Sequence, residues 1–451
     1  MITRSNEKSK LKASMYNFEV DVDGDLVLYN TRTGSLVRTE ADTVALVKDT
    51  LRNPNENFAF RNELLDQGFL VEEDTNELSI LADVHERYIE DDSTIDLTIM
   101  PSESCNLRCP YCFIYKQRNM EMEDKTFSGV LNYIEQKVKP FGYKKLNISW
   151  YGGEPTLAYS KVIDFMSSLS EIRDTYNLDV RSAITTNGVL LTKDMFLGLL
   201  ESGITDFQVT IDGHKATHDS LRMTKDGKPT FDIIFNNLDE ISTVGLEHNF
   251  SLKVRANFLL DGENSMYELL EMFNRRFGSD SRFGIYFRPV YNFETERSEI
   301  EGIKSNICNV EEGHRIQMDL EEAVQVASSG TSKMLSLVPK PIYAWCNVVK
   351  SNQHIIGADG TVFACDTLMV DKNDGVGELN SDGELKLNKN ATNWKKNFLE
   401  GDDELTVLCK QCKLLPICMG GCYRSKILNK TNACVMKYDD VEKLIVRCME
   451  A

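Results

Sequence analysis

The sequence predicts an α/β fold: a partial (β/α)6 barrel of parallel strands, with a small sheet-and-helix domain before it and a cysteine-rich domain after it. Three observations carry that prediction. Between residues 95 and 330, short apolar runs alternate with stretches of helical period, which is the signature of βα units and a parallel sheet. The segments rich in glycine, asparagine and cysteine fall just after the apolar runs, where parallel α/β folds gather their chemistry. Outside that range the pattern changes, which divides the chain into 1–81, an acidic connector at 82–94, the barrel at 95–330 and the cysteine-rich part at 331–451.

The first part opens with "YNFEVDV" and "DLVLYN", two strands flanking Asp23-Gly24, a two-residue hairpin signal. "SLVRT", 35–39, reads as a third strand. A helix follows over about 40–51, with Ala41, Val44, Ala45, Val47 and Leu51 on its apolar side. "FRNELLDQG" is a second short helix stopped at Gly68. "FLVEED" and "ELSIL" read as a closing hairpin, and "ADVHERYIEDDST" as a solvated connector.

In the barrel the expected strands are "IDLTIM", "KLNISWY", "VRSAITT", "FQVTI", "LKVRANF" and "GIYFRPV". Helices at 124–138, 160–176, 193–202, 230–243 and 264–277 separate them. Beyond about 340, "GADGTVFACDT" reads as a hairpin around Asp359-Gly360. The segment from Cys409 to Cys434 reads as mostly loop, with too little apolar surface to fold without a metal.

The net charge of −19 is spread along the chain, which argues against a nucleic-acid partner, since that would need a basic face. No run approaches the ~20 apolar residues that span a bilayer, and the first residues lack the apolar core of a signal peptide. The expectation is a cytoplasmic enzyme with no membrane partner. Cytosolic cysteines in tight clusters point to metal rather than disulfides, and the twelve here are clustered. Cys105, Cys109 and Cys112 form one group. Cys346, Cys365, Cys409, Cys412, Cys418, Cys422 and Cys434 form another. Cys308 and Cys448 stand apart, and Cys448 shares a helical stripe with Val441, Leu444 and Ile445, as a small buried hydrophobe would. Three thiolates in C-x3-C-x2-C can hold three irons of a four-iron, four-sulfur (4Fe-4S) cluster and leave the fourth open. An open metal position marks a catalytic site. A zinc site completed by a distant residue and a set of reduced thiols are the alternatives.

"CNLRCPYC" followed by Phe113 resembles the signature of radical S-adenosylmethionine (SAM) enzymes, and further motifs match in order. "YGGEP", 151–155, resembles the turn that receives the amino group of SAM, with Gly152, Gly153 and Glu154. "TTNG", 185–188, with Asn187, and "VTIDG", 209–213, with Thr210, match later strand ends. "HDSLR" supplies Arg222 and "VRANF" supplies Arg255, two candidate carboxylate partners. The resemblance implies that the cluster cleaves SAM to a 5′-deoxyadenosyl radical, which abstracts hydrogen from a substrate. It implies an external one-electron reductant such as flavodoxin or ferredoxin.

The second cysteine group resembles the SPASM extension, which binds two auxiliary 4Fe-4S clusters. By that resemblance Cys409, Cys412, Cys418 and Cys434 hold the outer one, and Cys346, Cys365 and Cys422 the inner one. A zinc-ribbon-like module is the alternative. Residues 16–80 look like a winged-helix peptide-recognition element, which would add an extended leader peptide to the edge strand "SLVRT". A structural cap on the barrel is the other reading of that part. Together these resemblances imply a maturase of a ribosomally made precursor peptide. The expected product is a thioether of the sactipeptide or ranthipeptide kind, because an open iron on the inner cluster would bind the substrate thiol. The runner-up makes a carbon–carbon or other cross-link, or oxidises a Cys or Ser residue as anaerobic sulfatase-maturing enzymes do. A non-catalytic metal-bound scaffold that holds peptides is the reading from another class.

Overall fold

The computed structural model describes residues 10–57, 59–114, 118–291, 300, 302–329, 337–369, 371–432, 434 and 436–450. The expected boundary at 330/331 lies outside them. The chain folds as two compact bodies. One comprises Met1–Glu90, Ser329–Asn347 and Lys396–Ala451, the other Asp91–Ser328 and Val348–Lys395. Among the described residues no helix is long and apolar enough to cross a membrane.

In the first body, strand β1 (Leu11–Ala13) precedes a three-stranded antiparallel sheet of β2 (Asn17–Val22), β3 (Asp25–Asn30) and β4 (Leu36–Thr39). The strands lie in the order β2-β3-β4, so the "SLVRT" strand is an edge. The hairpin turn needs positive φ at both central residues, and Asp23 and Gly24 supply it at 52° and 93°. Helices Val44–Arg52 and Arg61–Asp66 follow. Their apolar faces join Leu11, Leu26, Leu28 and Phe69 in one core.

The expected closing hairpin does not form. β5 (Leu70–Glu72) pairs antiparallel with β1 instead. "ELSIL" begins a helix, Glu77–Ile89, whose N-cap Asn76 accepts from the Ser79 N–H at 3.1 Å. That helix takes in residues 82–89 of the expected connector, because Leu81, His85 and Ile89 recur every fourth residue and bury one stripe. The same body holds the C-terminal segment. Leu399, Leu415 and Met419 pack with Tyr16 and Leu81, and Lys413 donates to the Asn17 carbonyl at 3.0 Å.

The second body is a ten-stranded sheet. Six parallel strands lie side by side in chain order: β6 (Thr94–Ser102), β7 (Lys145–Gly152), β8 (Asp179–Thr186), β9 (Asp206–Thr210), β10 (Ser251–Phe258) and β11 (Phe283–Pro289). The helices between them fall on the expected segments, Asp124–Phe141, Tyr159–Tyr176, Lys193–Glu201, Phe231–Ser242 and Glu263–Phe277. Sequence reading missed a helix at Lys215–Leu221 and another at Val310–Ser329. It also missed how the sheet ends. β12 (Gln353–Ile356) pairs parallel with β6, and β13 (Thr361–Phe363), β14 (Gly377–Leu379) and β15 (Leu385–Leu387) continue antiparallel. The expected Asp359-Gly360 hairpin is the β12–β13 turn, so its strands extend the central sheet.

Lys350, 6% exposed, fixes that extension. It donates to Asp96 on β6 at 2.7 Å and lies 3.2 Å from Asp91. Replacing Lys350 with Met should cost about 3–5 kcal/mol, because it leaves a buried carboxylate uncompensated. Urea unfolding of the second body would show it as a lower midpoint at unchanged slope.

Candidate active site

The C-terminal ends of β6 to β11 surround a cavity of about 360 Å³. Cys105, Cys109, Cys112 and Phe113 line one side. Gly152, Gly153, Glu154, Asn187, Thr210, Arg222 and Arg255 line the rest. Every residue that the sequence singled out around the three-cysteine loop therefore reaches one space.

The loop after β6 is held by its neighbours. Leu107 bridges Thr224, and the Arg108 N–H donates to the Met223 carbonyl at 3.1 Å. The Cys105 sulfur accepts from the Leu107 N–H at 3.4 Å. Cys112 and Phe113 pack against Met100, Ile114, Ile355, Phe363 and Met369, and the Phe113 ring stacks on Tyr151. Burial is the main cause that raises the thiol of Cys105 to about 11 and that of Cys109 to about 12. Burial thus favours the neutral thiols, and iron bound there would supply the cation that compensates the thiolates. Among the described residues no three His, Cys, Asp or Glu side chains converge on a single-ion site. A cubane does not need that, because each thiolate binds a different iron.

Glycine is required at 152 and 153. A Cβ at Gly152 would stand 2.4 Å from the Ser102 carbonyl oxygen, and one at Gly153 would stand 2.3 Å from that of Ser104. Gly152 also has φ +123°. This close approach lets the Glu154 N–H donate to the Ser104 carbonyl at 2.8 Å, beside Cys105. The Glu154 carboxylate is 1% exposed and already fully bonded. Oε1 accepts from the Thr156 N–H at 3.1 Å, the Thr156 hydroxyl at 2.6 Å and the Thr186 hydroxyl at 2.7 Å. Oε2 accepts from the Asn187 N–H at 2.7 Å. Burial raises its pKa and these bonds oppose the rise. Its side chain therefore ties β7 to β8. Asn187, held this way, donates through Nδ2 to Asn106 at 2.7 Å and faces the Cys105 sulfur at 3.8 Å.

Sequence reading missed a second buried carboxylate, Asp212, in "VTIDG". Oδ1 accepts from Asn257 N at 2.9 Å and Nδ2 at 3.0 Å. Oδ2 accepts from the Tyr111 hydroxyl and faces Arg222 Nη1 at 3.5 Å. Arg222 also donates to the Tyr111 hydroxyl at 2.7 Å. The Asp212 N–H donates to His218 Nδ1 at 3.1 Å, so the ring proton sits on Nε2, 3.0 Å from Thr230 Oγ1. Burial, with the Arg222 charge behind it, lowers the His218 pKa to about 3, so the ring is neutral. The sequence analysis drew only Arg222 from "HDSLR", and nothing in the sequence pointed to Asn257, which lines the cavity with Gln208 and Arg288.

The donor set fits a cluster with SAM on it. Three cysteines share the cavity with Arg222, which spends Nη1 on Asp212 and the Tyr111 hydroxyl. Among the described residues the buried Nε of Arg222 has no hydrogen-bond partner, as expected of a group that waits for an anionic ligand.

Of the other cysteines, Cys409, Cys412, Cys418 and Cys434 gather in the first body. Burial raises the Cys418 thiol to about 12, and the other three add to the rise. Lys426 donates to the Cys409 sulfur at 3.5 Å and the Tyr438 hydroxyl to that of Cys412 at 3.5 Å. Cys346 and Cys422 belong to the first body and Cys365 to the second. Cys308 is buried in the second body with its thiol 3.7 Å from the Phe258 carbonyl. Cys448 is buried on its helix with Val441, Leu444 and Ile445.

Residues 99–272 match the family model described as the Radical SAM superfamily. The chain is 28% identical over 356 residues to the cysteine-type anaerobic sulfatase-maturating enzyme of Clostridium novyi, covering 75% of this chain and 90% of that one. A protein of the same description from Clostridium perfringens is 23% identical over 364 residues, 76% of this chain and 93% of that one. Among solved structures, native anSMEcpe with bound AdoMet superimposes with a TM-score of 0.58 at 17% identity, over 78% of this chain and 98% of that one. The fold is the mixed α/β fold of radical SAM enzymes, and the chain is an enzyme that carries a radical SAM domain.

Proposed function

We propose that this enzyme modifies a protein or peptide by oxidising a cysteine or serine residue, a reading supported by its similarity to enzymes named as cysteine-type and serine-type anaerobic sulfatase-maturating. The observation that carries the reading is the shared cavity of Cys105, Cys109, Cys112, Gly152–Glu154, Asn187 and Arg222. Bound there, SAM and a 4Fe-4S cluster supply a hydrogen-abstracting radical. The chain's own residues hold and orient them. The three thiols would carry the cluster, the glycine turn would let backbone approach it, and Arg222 would meet the carboxylate of SAM. Similarity to sulfatase-maturating enzymes over nine-tenths of their length supports oxidation of a residue over the thioether product expected from the sequence.

The thioether reading depends on an inner auxiliary cluster with an open iron. The grouping of Cys346, Cys365 and Cys422 for it comes from the resemblance to the SPASM extension. The gathering of Cys409, Cys412, Cys418 and Cys434 supports an outer cluster. The two products differ in an observable way. A thioether joins two residues of the peptide, so fragmentation between them fails, whereas oxidation changes one residue and leaves the peptide linear.

Leader recognition is proposed for the first body. Beside the edge strand β4 lies a largely apolar groove of about 240 Å³, whose lining includes Val37, Val47, Phe60 and Leu64. An added strand would pair along β4 and place alternate side chains in that groove. Val37→Asp puts a charge into it. Leader affinity should fall by about tenfold or more, with SAM cleavage retained because that cavity is in the other body. Isothermal titration with the full precursor measures the first, and unchanged affinity would remove the recognition role.

Replacing Cys105, Cys109 and Cys112 together by Ala should abolish both SAM cleavage and peptide modification, with iron retained elsewhere in the chain. If the triple variant still released 5′-deoxyadenosine under reducing conditions, the site assignment would be wrong. Glu154→Ala leaves several buried donors unpaired, and each costs about 1–3 kcal/mol. Thermal unfolding should show the loss, and SAM affinity should fall with it.

A further inference from the structure

The cavity holds three guanidinium groups, those of Arg222, Arg255 and Arg288. SAM offers one carboxylate. Arg222 is the arginine that acts electrostatically on both Cys105 and Cys109, so it is placed to meet a carboxylate chelated at that cluster. Arg255 is then in excess, and Arg288 is only partly balanced, by an ion pair of its Nη1 with Glu321 at 3.2 Å. They stand on adjacent parallel strands, Arg255 opposite Tyr286 and Asn257 opposite Arg288, so all four side chains share one face.

Arg255 forms no ion pair with any described residue. Its Nε donates to Asn257 at 2.9 Å, and its other bond is to the uncharged Tyr286. Arg288 lies over the Tyr286 ring at 4.9 Å and, among the described residues, bonds through Nη1, to the Phe287 carbonyl at 2.9 Å and in an ion pair with Glu321 at 3.2 Å. The buried acids of the cavity are already spent, Glu154 on four donors and Asp212 on Tyr111, Asn257 and Arg222. Asp366, the other acidic side chain of the lining, is exposed and makes no ion pair among the described residues.

We propose that Arg255 and Arg288 form a carboxylate-recognition subsite, so that the preferred substrate carries an aspartate or glutamate next to the residue that is modified. The proposal rests on the reading of the chain as a peptide modifier. Guanidinium forks match carboxylates with two parallel hydrogen bonds, and a partly enclosed cavity strengthens such a pair over its value in water. A neutral flank would leave Arg255 without a counter-charge.

The test uses the full-length enzyme, reconstituted with iron and sulfide and saturated with SAM. Three labelled pentapeptides serve as probes, each with a central cysteine flanked on both sides by glutamate, glutamine or lysine. Fluorescence anisotropy should show the glutamate peptide binding about tenfold to a hundredfold tighter than its glutamine isostere. Arg288→Glu should shift the preference toward the lysine peptide, an inversion that loss of packing cannot produce. If that variant does not fold, Arg288→Gln should still shrink the gap between glutamate and glutamine. Equal affinities for the three peptides, no binding of any, or an unchanged preference in the folded variant would overturn the subsite. Mass spectrometry of the same mixtures under reducing conditions tests the proposed function separately. A glutamate peptide that binds and is never modified keeps the subsite and counts against that function.

Discussion

A carboxylate without access to water must find its donors in the protein or destabilise it, and Asp212 has 0% exposure. Its donors come from distant stretches of chain: Tyr111 in the cysteine loop, Asn257 on β10, and Arg222 after the helix Lys215–Leu221. Satisfying this one group fixes the loop against the strand ends and sets the guanidinium at the cavity wall. His218 completes the arrangement as a neutral ring, taking the Asp212 N–H on one nitrogen and holding Thr230 with the other. Glu154 plays the same part between β7 and β8. The cavity is thus shaped by two buried acids whose own chemistry is to be fully bonded.

The parts legible in sequence were those whose signal is local. Strand and helix periods in 95–290 follow from which residues face the core, and the three-cysteine loop and glycine turn declare themselves by spacing. The hidden parts were tertiary. β13, β14 and β15 are three residues each, too short for a period, and their place in the sheet is set by β6 across a long loop. Asn257 and Gln208 are ordinary strand residues until the fold turns them inward. Asn76 was a readable cap, and overlooking it turned a helix start into a strand.

The first body shows why a linear division of the chain misses physical units. Tyr16 and Leu81 from one end pack with Leu399 and Met419 from the other. Phe18 meets Tyr438 edge to face at 5.8 Å. The cysteine-rich segment is short of apolar surface, as its composition says, and the N-terminal strands and helix lend it some. Removing the first eighty residues would therefore take away the sheet and also strip Tyr16 from the face that Leu399, Leu415 and Met419 present.

The parallel pairing of β12 with β6 also bears on how the chain is made. Lys350 and Asp96, bonded in the finished sheet, are 254 residues apart. During synthesis β6 emerges early and its free edge waits until the whole set of later strands has left the ribosome. At roughly 5–20 residues per second that wait is tens of seconds at most, long against helix or hairpin formation. An apolar parallel strand with an open edge is a template for pairing with another chain. The nascent protein therefore depends on being shielded through this interval, and its yield on expression should respond more to translation rate and chaperone supply than to the stability of the finished fold.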